Sequence, residues 1–249
     1  MIFNVGARRS GTYWLQRIVC AHPAVAEVPG ETYVFSHGVA PLMERFRHQD
    51  RDEQAVGTVY ADRGRLIASV RALCDSVFAE FAQAGEERVA ERTPWHVHHL
   101  PLIAEVYPDA RFVHIVRDGR DVVRSLVAQP WGPATVAEAA EEWRGSVEAG
   151  RAAAGELGAR LLEVRYEEML ADPGAAVARL YEHLGLEGGL EQALAAAGVE
   201  ANVGAHDVRV GAGKWREGWK RRDLREFDRV AGGLLGELGY AQGPGVSAG

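Results

Sequence analysis

Six residues near the amino terminus, Gly6-Ala7-Arg8-Arg9-Ser10-Gly11, bring two glycines, two guanidinium groups and a hydroxyl into one short loop. The run Phe3-Asn4-Val5 before it has strand character, and Leu15, Ile18 and Val19 after it recur at helical spacing, so the stretch predicts strand, glycine loop, helix. Such a loop cradles an anion: glycines let backbone N–H groups approach closely, and the following helix directs its positive end to the same place. The spacing G-x-x-x-x-G is that of a P-loop, yet Thr12 stands where a nucleoside triphosphatase carries its Lys. Because Arg8 and Arg9 put the charge inside the loop, the ligand predicted is a nucleotide anion without a triphosphate tail.

Other residues with chemical potential also follow strand-like runs. Glu31 comes after Val25–Val28, Arg92-Thr93-Pro94 after the run ending at Glu91, and Arg117 after Arg111–Val116. In an open α/β sheet those carboxyl ends form the ligand edge. By residue type alone Glu31 reads first as a helix-capping or surface carboxylate. The cluster His96, His98 and His99 resembles a metal motif but lacks a carboxylate or thiolate partner, so no metal is expected. The basic clusters Arg8-Arg9, Arg117-Arg120-Arg124 and Lys214-Arg216-Lys220-Arg221-Arg222 are places where an acidic chain can concentrate positive charge, the alternative being a solvated surface.

Arg9-Ser10-Gly11-Thr12-Tyr13-Trp14 resembles the first motif of the sulfotransferases that use 3′-phosphoadenosine 5′-phosphosulfate (PAPS), with Tyr13 replacing the usual second hydroxyl. The segment Arg117-Asp118-Gly119-Arg120-Asp121 through Ser125 resembles their second motif, whose Arg and Ser, eight residues apart, hold the 3′-phosphate. A guanidinium and a hydroxyl two helical turns on suit that task. The Gly30-Glu31-Thr32 segment resembles that of the tyrosylprotein branch, in which the carboxylate before the Thr is the base. The resemblance therefore implies Glu31 as general base and Arg92 beside the transferred sulfuryl group; His96 or His99, nearby in sequence, is the second choice of base. It further implies that Tyr166 touches the adenine and that a loop containing Arg209, Gly211 and Lys214 closes over the 3′-phosphate. Which of its basic residues clamps the phosphate stays open, because Val210 departs from the family pattern and Lys214 before Trp215 resembles the tyrosylprotein type.

The elements that must position these residues suit one α/β domain: 249 residues, 47% hydrophobic and 25% charged, are enough for a sizeable core. The resemblance implies a central parallel β-sheet flanked by helices in a P-loop-like sulfotransferase fold, one domain over residues 1–240. Residues 36–63 read as a lid or acceptor insertion with a short helix near Pro41–Arg47, and residues 241–249 as a disordered tail. Helices are expected over 64–85, 95–106, 135–157, 174–184, 190–197 and 224–238. The balance of 28 Lys and Arg against 35 Asp and Glu, net −7, argues against a nucleic-acid or anionic-membrane partner. Cys20 and Cys74 are too few for a disulfide framework. No run approaches the roughly 18 apolar residues of a membrane helix and no leader is evident, so a cytoplasmic protein is expected.

The expected activity is thus transfer of the sulfuryl group from PAPS to an acceptor hydroxyl, leaving 3′-phosphoadenosine 5′-phosphate (PAP). Arg8, Arg9, Ser10, Gly11, Thr12, Tyr13 and Trp14 bind the nucleotide, and Arg9 and Arg92 neutralise charge in the transition state. The rival readings are a small P-loop kinase, which the missing Lys disfavours, and a non-catalytic nucleotide-binding module. The acceptor expected is a small molecule such as a natural product or carbohydrate, bound near the 36–63 insertion and Gln129–Pro133; the composition fits a bacterial pathway.

Overall fold

The computed structural model describes residues 1–47, 62–82, 86–198 and 211–240. Five strands, β1 (Ile2–Gly6), β2 (Val25–Glu27), β3 (Arg88–Glu91), β4 (Arg111–Val116) and β5 (Leu161–Arg165), form one sheet in the order β2-β3-β1-β4-β5. Every pairing is parallel, with Ile2 opposite both Ala90 and Arg111. Parallel strands need crossovers that cover both faces, so the central strands must be apolar on both sides. They are: Ile2, Phe3, Val5, Phe112, Val113 and Ile115 have no exposed surface. This is the parallel α/β sheet predicted above.

Alternation along the strands sorts these side chains between two layers. Phe3 and Phe112 stack on one face, in a core with Phe35, Met43, Leu66, Phe78 and Leu100. Ile2, Val113 and Ile115 face Leu15, Ile18, Val177 and Leu184 on the other. A third cluster around Trp143 and Phe227 packs helices at the β4 end.

The helices among the described residues are α1 (Thr12–Cys20), α2 (Ala40–Arg47), α3 (Arg63–Ala79), α4 (Leu100–Val106), α5 (Gly119–Val127), α6 (Val136–Leu157), α7 (Tyr166–Ala171), α8 (Pro173–Leu184), α9 (Leu190–Ala197) and α10 (Arg221–Glu237). Three differ from expectation. The helix predicted over 64–85 ends at Ala79, and only Leu66, Val70, Cys74 and Phe78 are buried, one residue per turn. Leu73 and Val77, which recur with them at helical spacing, are 60% and 38% exposed because that four-residue stripe is too narrow to include them. The helix predicted over 95–106 splits into a 3₁₀ turn, Pro94–His99, and α4, whose first turn contains Pro101. Proline lacks the N–H that would continue the ladder and suits a first turn. The last helix starts three residues earlier than predicted, since Asp223 accepts from the Lys220 N–H and caps a polar first turn that carries no apolar signal.

Of the expected insertion, Val34–Val39 forms a wide π-type turn leading into α2, and Phe35, Val39 and Met43 join the core. Its residues 48–61, the tail 241–249 and Arg209 lie outside the described residues.

Candidate active site

All five strands run in the same direction, so their carboxyl ends open on one edge, and five of the predicted site segments each follow one of those ends. The glycine loop leaves β1, Gly30-Glu31 follows β2, Arg92 follows β3, Arg117 follows β4 and Tyr166 follows β5. A cleft of about 740 Å³ lies there, lined by residues that include Arg8, Arg9, Thr12, Tyr13, Trp14, Glu31, Arg92, Arg117 and Tyr166. Four arginines and a single carboxylate face it among the described lining residues, a balance that favours an anion.

The loop geometry requires its glycines. Gly11 has φ 100°, and a Cβ there would sit 2.7 Å from the Tyr166 ring. Arg9 takes the left-handed conformation without being glycine, φ 69°, a strain that concentrates at functional sites. Its Nε donates to Ser125 Oγ at 2.9 Å, which joins the first predicted phosphate segment to the second. Burial and the neighbouring Arg117 guanidinium lower the Arg9 pKa, as expected where cations converge.

Arg117 donates to Gly211 O at 2.8 Å and to Arg9 O at 3.3 Å, and its guanidinium lies 4.3 Å from the centre of the Tyr166 ring. The Tyr166 hydroxyl accepts from the Gly211 N–H, and burial raises its pKa. Asp121 is also near Arg117, at 3.7 Å. Arg9, Ser125, Arg117, Tyr166 and Gly211 therefore form one contiguous group.

Two buried polar atoms at this site, Ser10 Oγ in the glycine loop and Arg117 Nε, have no partner among the described residues. A buried hydroxyl and a buried guanidinium N–H without acceptors are unfavourable by themselves. A phosphate or sulfate oxygen satisfies both, so the residues fit an anionic nucleotide.

Glu31 sits across the cleft. One carboxylate oxygen accepts from Arg92 at 3.2 Å and the other from the Tyr33 hydroxyl at 2.6 Å. Burial, followed by this contact with Glu31, pushes the Tyr33 pKa up to about 12, so the phenol remains a donor. Arg92 in turn lies 5.1 Å from the centre of the Tyr13 ring. The structure thus brings the expected base and cation together.

His96, offered by sequence as a second base, has a different environment. It is fully buried, its Nε2 accepts from the Phe35 N–H at 3.2 Å and its Nδ1 faces Glu91 at 3.1 Å. With its lone pair engaged by a backbone donor, its geometry gives it a supporting part. His99 lines a separate cavity with His98. Arg8 is similarly committed, forming a two-pronged ion pair with Glu142 at 2.6 and 2.7 Å that raises its pKa, while its guanidinium lies against the rings of Trp95 and Trp131. Trp14, only 4% exposed, donates to Ala197 O and packs edge-on against Tyr166, so it supports that ring rather than facing the cleft with its indole N–H.

Sequence reasoning missed the part played by Asp121. Its two oxygens accept the N–H groups of Gly213 and Trp215, both at 2.7 Å, and pin the 211–216 segment to α5. Arg124 adds a bond to Lys214 O, and the Arg120 and Arg216 guanidiniums lie 3.8 and 4.6 Å from the centre of the Trp215 ring. The available signal was its place one helical turn after Arg117. Among the described residues no group of three or more His, Cys, Asp or Glu could hold a metal, and no helix is long and apolar enough to cross a membrane.

The profile described as the sulfotransferase family matches residues 2–191, and the chain belongs to that family. It is 22% identical over 178 residues to protein-tyrosine sulfotransferase 1 of Danio rerio, covering 70% of this chain and 49% of the relative. A local match, 31% over 111 residues, covers 38% of this chain and 28% of the omega-hydroxy-beta-dihydromenaquinone-9 sulfotransferase Stf3 of Mycobacterium tuberculosis. The chain spans about half or less of the length of these curated relatives. Among solved structures, the sulfotransferase domain from the curacin biosynthetic pathway aligns with TM-score 0.58 at 15% identity, covering 98% of both chains. Mouse sulfotransferase SULT7A1 complexed with PAP aligns with TM-score 0.58 at 16% identity, over 95% of this chain and 88% of that one. These likenesses establish the fold, a parallel P-loop-like α/β sheet with flanking helices.

Proposed function

We propose that this protein transfers a sulfuryl group from PAPS to the hydroxyl of an acceptor. The observation that carries the reading is the contact of Arg9 Nε with Ser125 Oγ, which fuses two phosphate-binding segments in the same cleft as the Glu31–Arg92 pair. PAPS, when bound, supplies the sulfuryl group and a phosphate leaving group. Arg117 and Ser125 hold the 3′-phosphate through a charged, hydrogen-bonded contact, with Gly211 and the adjoining Lys214 segment beside it and Tyr166 against the base. Ser10, Thr12 and the N–H groups of the glycine loop bind the 5′ end at the start of α1.

Glu31 accepts the proton of the acceptor hydroxyl as that oxygen attacks sulfur. For this the carboxylate exchanges one present partner, the Tyr33 hydroxyl, for the acceptor. Arg9 and Arg92 neutralise charge that grows on the bridging and sulfuryl oxygens. Gln129 and Trp131 line the same cleft and form one wall for the acceptor, which we read as a small hydroxylated molecule. Glu31→Gln keeps the shape but removes the proton acceptor. In a PAPS-consumption assay turnover should fall by roughly 10²–10⁴-fold with PAP affinity unchanged; near-normal turnover would remove Glu31 from the mechanism.

A further inference from the structure

Glu91 is the last residue of β3 and has no exposed surface, yet it is a carboxylate. An isolated buried carboxylate is strongly unfavourable, so its surroundings must compensate. One oxygen accepts from Thr32 Oγ1 at 2.8 Å, the Thr32 N–H at 3.4 Å and Thr93 Oγ1 at 2.5 Å. The other accepts from the Thr93 N–H and from His96 Nδ1, both at 3.1 Å. Burial opposes the charge, but these bonds outweigh it and hold the pKa below the usual carboxylate range.

The donors come from two segments far apart in sequence. Thr32 is adjacent to Glu31, while Thr93 is adjacent to Arg92. Further bonds close the link: the Tyr33 N–H donates to Thr93 Oγ1 at 3.3 Å, and His96, held by Glu91, accepts from the Phe35 N–H. The hub therefore bonds to the residue that follows each member of the Glu31–Arg92 pair and ties the two segments together.

We propose that Glu91 is a positioning residue for the Glu31–Arg92 pair: a buried carboxylate that joins the end of β3 to the segment after β2 and fixes the separation of base and cation. His96 is the strut that orients it. This inference rests on the roles given to Glu31 and Arg92 above. A hydrophobic residue at position 91 could fill the volume but could not bind donors from both segments at once.

The test compares Glu91→Gln, Thr93→Val and Thr93→Ser with the wild type. Thr93→Val keeps the shape while removing the hydroxyl bridge, and Thr93→Ser restores that bridge. Three readouts are needed: calorimetric PAP affinity, turnover of PAPS with 4-nitrophenol as probe acceptor, and the side-chain ¹⁵N spectrum of Arg92. The expected result is a kcat lowered about 10²-fold, as for a misplacement near 1 Å, in Glu91→Gln and Thr93→Val. PAP affinity should hold, Thr93→Ser should be close to wild type, and the Arg92 guanidinium signal should shift as it does in Glu31→Gln. An unchanged Arg92 signal in folded Thr93→Val would overturn the proposal, as would a kcat loss that merely accompanies lost PAP affinity and thermal stability. A wild type that neither binds PAP nor consumes PAPS would instead sink the sulfuryl-transfer reading, and the Arg92 spectrum would still decide whether Glu91 positions the pair.

Discussion

The cleft has two halves built on different principles. On the β1, β4 and β5 side, Arg9, Ser125, Arg117 and Tyr166 form a rigid cationic group whose charge exceeds what nearby acids neutralise. On the β2 and β3 side, Glu31 and Arg92 neutralise one another, and the fully buried Glu91 bonds to Thr32 and Thr93, the residues that follow them. An excess of fixed positive charge suits holding an anion, whereas a balanced pair suits passing a proton. On the function proposed above, the two halves divide binding from proton transfer, with Arg9 serving both, so variants in one half at positions other than Arg9 should leave the other half's readout intact.

The largest break after loss of the base should come from Gly11→Ala. It forces a side chain into a left-handed backbone, at about 1–3 kcal/mol, and toward the Tyr166 ring. Thermal unfolding should move down and PAP binding should collapse, while the Glu31–Arg92 pair on the opposite side is retained; unaltered PAP affinity would show that the loop does not define the nucleotide site.

Asp121→Asn sharpens the comparison within the binding half. Asn cannot accept two N–H groups as a carboxylate does, so the 211–216 segment should loosen. PAP affinity should fall by about 1.5 kcal/mol, with kcat at saturating PAPS preserved. A loss confined to kcat would reverse the assignment of halves.

The smallest effect concerns acid stability. Glu163, paired with Arg151 and beside His114, is held down to about 2 from an ordinary 4.5: burial opposes the charge, but the partners outweigh it. A depressed folded pKa means that the carboxylate's contribution is complete above about 4.5 and is lost as pH falls toward about 2. Melting temperature should therefore drop through that window, with a shallower slope in Glu163→Gln. An identical slope in that variant would assign the acid sensitivity elsewhere.

The two halves also differ in how legible they were. The binding half rests on short local spacings, Gly6 to Gly11 and Arg117 to Ser125, each crossing a strand-to-helix turn that hydrophobic periodicity marks. The strands were visible for a related reason: β4 is a near-continuous β-type run between Arg111 and Arg117, and β1 is a short, mostly apolar run that ends in the glycine loop. The supporting hub of the other half pairs residues 32–35 with 91–96, across a crossover, and no local pattern links Thr32 to Glu91. His96 looked reactive because burial is invisible in a histidine-rich run. Arg8 looked free because Glu142 lies far along the chain, on α6. The exposed Leu73 and Val77 show the converse limit, since periodicity overstates how wide a buried stripe is.

The central claim is that the cationic half holds a nucleotide with a 3′-phosphate and no triphosphate. Calorimetric titration of the protein with PAP, and separately with ATP and Mg²⁺, repeated on Arg117→Ala, tests it most directly. The account predicts PAP binding that Arg117→Ala weakens by about 1.5–3 kcal/mol, and no ATP binding. ATP binding without PAP binding would contradict it and return the P-loop kinase reading.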